Sequence, residues 1–524
     1  MSQQDQNRKL MKSTLLVAVP TFLSRILGYF RDMLQAKYMG TTGAMDAFGI
    51  AYAIPNLLRR LTGEGAMTAA FIPVFTQLKK EKSKDELWRF ANCFFYDLTV
   101  IMVVLTILGV VTAPWMVKFI ASLFETSVKV NLTIVLTWIM FPYMFLISLS
   151  ALAMAILNSF RKFFIPAFTP VLFNMSIITA AVLFANRAKE PAYVFAIGVV
   201  IGGVFQLAIQ LPPLWKKGMH FRFGLSFAHP AVKKIARLMV PGIFGVGIAQ
   251  INFTLSRILA WSLETGSVSS LYYSTRVQEL TLGVFSIAFS IALLPTFSEQ
   301  AAQKDLFSMK KTLAFSMKLI SFITFPAMIG LMILSRPIIQ VLFERGLFNI
   351  ESTTMTSSCL FFFAMGLPFI SYVKILAPAF YSLKDTRTPV IVAFFVMVGY
   401  ISLSFLLMRT MRVSGIALAL SVSSVLNFLL LFLLLEKKVG SVKIKGILFS
   451  MLKSALSAVL MGGAILIFLN KVSFDDLSPL SKLGTLGAAI LTGIAAYALS
   501  SLIFNRKDLK NVMNLFSKKK IVKE

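Results

Sequence analysis

Residues 13–38 read STLLVAVPTFLSRILGYFRDMLQAKY, and the fold turns on how this stretch is understood. A bilayer-spanning helix needs about 20 apolar residues, and the stretch supplies them while carrying Arg25, Arg31 and Asp32. An ionisable side chain in hydrocarbon costs at least about 2.5–3.5 kcal/mol, so it needs a partner or a watery cavity. At 3.6 residues per turn Arg25, Gly28 and Asp32 share one face, and Arg31 points about 120° away from Arg25. Both arginines reach one cavity only if the helix bends, and Gly28 between them is the expected bend.

The rest of the chain repeats the apolar pattern. Of 524 residues, 57% are hydrophobic and 14% charged, and the mean hydropathy is +0.79. A soluble domain of this size cannot carry such a surface. The expected fold is an all-α polytopic membrane protein with about fourteen spans. They lie at 13–38, 42–66, 90–114, 131–157, 166–186, 191–213, 237–262, 269–298, 312–334, 353–382, 388–408, 413–436, 446–470 and 483–504. Arg8, Lys9 and Lys12 precede the first run and no small-residue cleavage site follows it, so the N-terminus reads as mature. Cys93 and Cys359 fall inside spans and there are two histidines, which leaves no disulfide framework and no zinc centre to expect.

A net charge of +30 would suggest nucleic acid in a soluble protein, but here its placement is topological. The N-terminus, every second connection and the C-terminal tail together hold roughly three times as many Lys and Arg as the intervening connections. The positive-inside rule therefore puts both termini in the cytoplasm, with membrane lipids and not nucleic acid as neighbours.

Prolines recur at nearly constant spacing. Pro20 opens the first span and Pro241 the seventh; Pro73 in AAFIPVF matches Pro295 in IALLPTF; Pro166 and Pro389 each follow a basic turn, with Ser159 and Ser382 in register. The expected organisation is an N-terminal lobe at 1–222, a C-terminal lobe at 223–440 in parallel pseudo-repeat, and two additional helices with a basic tail at 441–524. In transporters built from such repeats, substrate sits between the lobes near the midplane.

Charged groups inside the spans mark what faces that gap. Besides Arg25, Arg31 and Asp32 they are Asp46, Arg59, Arg60 and Glu64 in the second span, Asp97 in the third, and Arg257, Arg276, Glu279 and Lys374 in the second lobe. Cations outnumber acids, so the expected guest is anionic. Guanidinium groups hold their charge and bond phosphate oxygens bidentately. The alternatives are structural: Arg59, Arg60 and Glu64 at an interface, Arg257 and Lys374 snorkelling to a surface, Asp32 and Glu64 as counter-ions, Glu279 as the in-helix partner of Arg276, and Asp385 as a cap.

These residues stand in longer strings: SRILGYFRD (24–32), MDAF (45–48), PNLLRRLTGEGA (55–66), YYSTRVQELTLGVFSIAFSIALLP (272–295) and KILAPAFYSLKDTRTP (374–389). They resemble the MurJ/MviN family of lipid II flippases over nearly the whole chain, and PNLLRR followed by EGA is the specific signal. The resemblance implies a fold of the MOP exporter type. It implies a substrate-binding set of Arg25, Arg31, Arg59, Arg60 and Arg276 with supporting acids Asp32, Asp46 and Glu64; Arg257, Glu279 and Lys374 are further candidates from burial. The substrate it implies is lipid II, the undecaprenyl-diphosphate-linked peptidoglycan precursor, carried from the cytoplasmic to the periplasmic leaflet of the inner membrane, with the cell-wall synthesis machinery as a further partner. Some members hold sodium with an acid of the seventh span. This chain has Ser256 there, and 388–408 contains no Asp or Asn, so no sodium site is expected.

No G-x-x-x-x-G-K-[ST] phosphate loop occurs, so no ATPase and no cofactor are expected, and the drive is membrane potential or an ion. Two rival readings remain. One is a MOP-type exporter of another lipid-linked oligosaccharide or of drugs; a drug exporter would lack the arginine set. The other is a polyprenyl-diphosphate enzyme, which needs clustered carboxylates for magnesium, whereas the adjacent Asp475 and Asp476 lie in an expected loop far from the arginines in the sequence.

Overall fold

The structure is a computed structural model, and it describes residues 3–59, 66–123, 129–226, 229–283, 286, 288–442, 444–506 and 508–510. Among them there is no strand. The helices in chain order are α1 (Gln3–Met39), α2 (Gly43–Arg59), α3 (Ala66–Glu81), α4 (Lys84–Leu123), α5 (Val130–Ser159), α6 (Phe164–Phe184), α7 (Pro191–Ala208), α8 (Leu211–Trp215), α9 (Pro230–Trp261), α10 (Ser267–Leu282), α11 (Ala288–Ala302), α12 (Leu306–Ile333), α13 (Ser335–Phe343), α14 (Ile350–Met365), α15 (Leu367–Ser382), α16 (Arg387–Val439), α17 (Ile444–Asn470) and α18 (Pro479–Phe504). Eight of these are individually long and apolar enough to cross a membrane among the described residues, or nine when α14 and α15, bent by 46°, count as one broken span.

The 53 residues of α16 would reach about 80 Å as one rod, far more than the roughly 30 Å of a hydrocarbon core. Arg412, at φ 51° and ψ −133°, breaks it. A Cβ at Gly415 would lie 2.5 Å from the Leu407 carbonyl, so the chain folds back and the two arms are the separate spans expected at 388–408 and 413–436. The expected connection after residue 66 is in fact largely helical, because α3 continues to Glu81 through Pro73 and α4 starts at Lys84.

The chain divides into two compact units, one of Met1–Ser269 with Arg345–Phe348, the other of Ser270–Glu344 with Asn349–Glu524. In the first, α5 is apolar on all sides because helices surround it, and 18 of its residues are buried. Phe71, Phe75, Phe90 and Phe94 from α3 and α4 pack against Leu152 and Ile156 of α5. In the second, Tyr372, Leu376, Phe428 and Phe432 form the core of α15 and α16. The α17–α18 pair joins α12 through Phe322, Met461 and Tyr497, whose hydroxyl donates to the Phe322 carbonyl at 2.7 Å. Large apolar side chains left exposed on α4, α17 and α18, such as Ile107, Leu452 and Leu491, suit contact with lipid.

The proline repeat extends to backbone detail. The turn after α5 and the turn after α15 share a left-handed residue, Arg161 at φ 58° and Lys384 at φ 60°. They also share a closing bond, Lys162 N to Leu157 O and Asp385 N to Phe380 O, both at 3.0 Å. The next helix then begins, with Pro166 and Pro389 each at its third residue.

Candidate functional site

Helix α1 runs through Gly28, the expected bend, without interruption of its helical span. A Cβ at Gly28 would make an ordinary 3.7 Å contact with Asn174 of α6. The two arginines differ sharply: Arg25 is exposed, whereas the Arg31 side chain is 12% and that of Asp32 4% exposed. Arg31 donates through Nε (3.0 Å) and Nη2 (2.7 Å) to Asp32 Oδ1. Its Nη1 donates to Asn174 Oδ1 at 3.0 Å. Asn174 is itself fixed, since its Nδ2 donates to the Ser24 carbonyl at 2.9 Å and to Ser24 Oγ at 3.3 Å. One carboxylate and one amide thus hold the guanidinium between α1 and α6. Sequence reasoning found Arg31 and Asp32 but missed Asn174 and Ser24, because neutral polar side chains in a span carry no charge penalty to draw notice.

Asp46 does something other than balance an arginine. From the first turn of α2, its Oδ2 accepts from Gly266 N at 2.6 Å, and its Oδ1 accepts from Ser269 N (2.8 Å) and Ser269 Oγ (2.7 Å). It therefore caps the otherwise unsatisfied N–H groups at the start of α10. Gly266 is required in that turn: its φ is +95°, and a Cβ there would lie 2.7 Å from the Thr41 carbonyl. Asp97 is also drawn off, accepting from Ser226 N at 2.9 Å, so an acid counted with the cavity is used to hold a connecting segment.

Arg257 lies with Nη1 3.5 Å from the Gly49 carbonyl on α2. Ser256 donates to the Asn252 carbonyl at 2.7 Å. In the second unit Arg276 Nη1 pairs with Glu279 Oε2 at 3.2 Å, the in-helix partnership expected from their spacing. Its guanidinium lies over the Tyr272 ring, 5.0 Å from the centroid. Lys374 on α15 is half-buried and within the field of the Glu279 carboxylate. The Arg59 side chain, Arg60 and Glu64 lie outside the described residues. Asp385 is the expected cap: Oδ1 accepts from Arg387 N and Thr388 N, and Oδ2 from Thr388 Oγ1 and Lys438 Nζ.

Each unit thus presents an arginine ordered by neighbours and suited to an oxyanion. A family model described as lipid II flippase MurJ matches residues 35–483. A probable lipid II flippase MurJ of Vibrio cholerae is 34% identical over 520 residues, covering 96% of this chain and 98% of that protein. The lipid II flippase MurJ of Burkholderia cenocepacia is 35% identical over 82% of this chain and 84% of its own length. Among solved structures, lipid II flippase MurJ in an inward closed conformation matches with TM-score 0.78 and 29% identity over 94% of this chain and 99% of that one. An inward-facing multidrug resistance MATE transporter of the MOP superfamily matches with TM-score 0.69 at 13% identity, over 82% of this chain and 99% of that one, a likeness of fold alone. The family model, the curated relatives and the fold converge, and the chain belongs to the MurJ family of lipid II flippases.

Proposed function

We propose that Arg31 in the first unit and Arg276 in the second are the groups that engage the diphosphate of lipid II as its headgroup passes from the cytoplasmic to the periplasmic leaflet by alternating access. One observation carries this: each unit orients an arginine, Arg31 by Asp32 and Asn174 and Arg276 by Glu279 and the Tyr272 ring. Guanidinium groups keep their charge and bond phosphate oxygens bidentately, which suits a charge-rich oxyanion. Arg25, being exposed, takes the headgroup first; Arg59 and Arg60 belong to the same set on the resemblance of PNLLRR. The two lobes at 1–222 and 223–440 alternate access, and the helices at 441–524 accompany the undecaprenyl tail.

Both termini are cytoplasmic on the distribution of Lys and Arg. No cofactor takes part. Carrying a charged headgroup across the membrane couples it to the potential at about 2.3 kcal/mol per charge per 100 mV. Ser256 in place of an acid argues against sodium coupling of the kind other members use. The cell-wall synthesis machinery consumes the product and is the further partner.

The test is depletion and replacement. Cells depleted of the chain should accumulate lipid II on the inner leaflet, and copies bearing Arg31→Ala or Arg276→Ala should fail to relieve it while reaching the membrane normally. Full relief by the doubly replaced chain would remove both arginines from the site.

A further inference from the structure

The two halves repeat down to their turns, so a difference of charge between equivalent corners is informative. In the second unit the turn after α15 carries Asp385, which accepts a hydrogen bond from Lys438 near the end of α16. Beyond it Gly440, at φ +82°, faces Lys310. In the first unit Gly218, at φ +103°, faces Trp88 in the same manner. The spacing of that pair maps Lys438 onto Lys216, and the spacing of the prolines maps Asp385 onto Lys162. Where the second unit has an acid–base pair, the first has two lysines.

More cations gather at that corner. Trp88 stacks on Phe160 with centroids 5.5 Å apart. Over the same Phe160 ring stand Lys79 Nζ at 4.1 Å and Lys217 Nζ at 5.9 Å. Lys79 also donates to the Ser159 carbonyl at 3.3 Å. Three connections that the charge rule assigns to the cytoplasm therefore meet here. Lys79, Lys162, Lys216 and Lys217 are all exposed, and none makes an ion pair among the described residues. The nearby acids are engaged or exposed on the α3–α4 turn: Glu81 accepts from Gln77, Glu86 pairs with Lys82, and Asp85 faces solvent.

The chain leaving this corner is built for a lipid surface. Trp215, Phe221, Phe223 and Leu225 are exposed, with Arg222 exposed between the two phenylalanines. The segment is tied along α4, Arg222 N to Asn92 Oδ1 at 3.3 Å and Ser226 N to Asp97 Oδ1 at 2.9 Å, while Met219 is fully buried beneath it. Exposed aromatic rings beside lysines are the composition of a membrane interface. We infer that Lys79, Lys162, Lys216 and Lys217 form a binding site for the phosphate of an anionic phospholipid, seated at the cytoplasmic corner of the first unit with its acyl chains along 221–225.

The experiment uses the full chain in detergent micelles containing equal phosphatidylglycerol and phosphatidylcholine, with retained lipid read by native mass spectrometry. The unaltered chain should retain phosphatidylglycerol preferentially. Lys162→Asp, which gives Lys216 the partner that Lys438 has, should lower that preference about tenfold, as loss of cations at a lipid surface requires. Asp385→Lys should raise it by creating the same corner in the second unit, a gain that misfolding does not produce. Equal retention of the two lipids by the unaltered chain, or an unchanged preference in Lys162→Asp, overturns the inference. So does a corner that serves the substrate instead, with undecaprenyl diphosphate displacing phosphatidylglycerol and itself lost in Lys162→Asp.

Discussion

Arg31 and Asn174 lie 143 positions apart and are joined by a 3.0 Å hydrogen bond from Nη1 to Oδ1. The bond matters because Asn174 is buried and its other end is fixed by Ser24, so it sets the plane of the guanidinium as well as accepting from it. Asn174→Ala should cost about 1–3 kcal/mol, the penalty for leaving a buried donor unmet, and should lower flipping of lipid II in proteoliposomes. Asn174→Asp is the sharper test. A second carboxylate should grip Arg31 more tightly and withdraw it from phosphate, at the cost of the donation from Nδ2 to the Ser24 carbonyl, giving a chain slower in transport than the parent. A fast Asn174→Asp variant would show that transport does not need Arg31 on the phosphate.

Asp46 is expected to be structural. Asp46→Ala strands the N–H groups of Gly266 and Ser269 in a buried turn, and removing such a partner costs about 3 kcal/mol or more. Gly266→Ala attacks the same turn from the other side. Both variants should lower the unfolding temperature in detergent, and a second-site stabilising change should recover much of the lost transport. A variant with normal stability and no transport would return Asp46 to the substrate site.

These two acids show what could be read before the structure was known. Asp32 and Asp46 carry the same signal in the sequence, a carboxylate inside an apolar run, and the signal fixes only that each has a partner. The partner of Asp32 is its neighbour Arg31, which local spacing reveals; that of Asp46 is backbone some 220 residues away, which no local pattern encodes. Helices were legible for the same reason in reverse. Apolar length shows α5 or α12 directly, and the polar MRTMR at 408–412 announced the reversal at Arg412. Helix α3 was harder, because it ends in the lysine-rich QLKKE and so lacks the apolar length of a span.

The Asp385 corner supplies a pH dependence. Burial alone would raise its carboxyl, but the bonds from Lys438 and Thr388 and the Lys438 charge outweigh it and hold the pKa at about 2, below the ordinary 3.8. A carboxyl depressed on folding adds stability that is complete above the unfolded value and is lost as pH falls through the folded one. Asp385→Asn should therefore be less stable than the parent at pH 7, and the difference should close between about pH 4 and pH 2. Thermal unfolding in detergent across that range measures it, and a gap that persisted at pH 2 would mean the carboxylate charge contributes nothing.

Arg276 and Glu279 separate charge from geometry. Both side chains are about one-third or more exposed, at 34% and 41%, so their ion pair should contribute less than about 1 kcal/mol, and Glu279→Gln should leave unfolding nearly unchanged. The Tyr272 ring under Arg276 gives the guanidinium a flat seat that an ammonium group fills poorly. If Arg276 binds phosphate through its planar fork, Arg276→Lys keeps the charge but should lose most transport, and Glu279→Gln, by releasing the fork from its carboxylate, should bind substrate at least as well as the parent. If charge alone is needed, Arg276→Lys should transport normally. Substrate affinity and flipping rate measured on both variants decide between the two, because only the planar account predicts that the lysine variant fails while the glutamine variant does not.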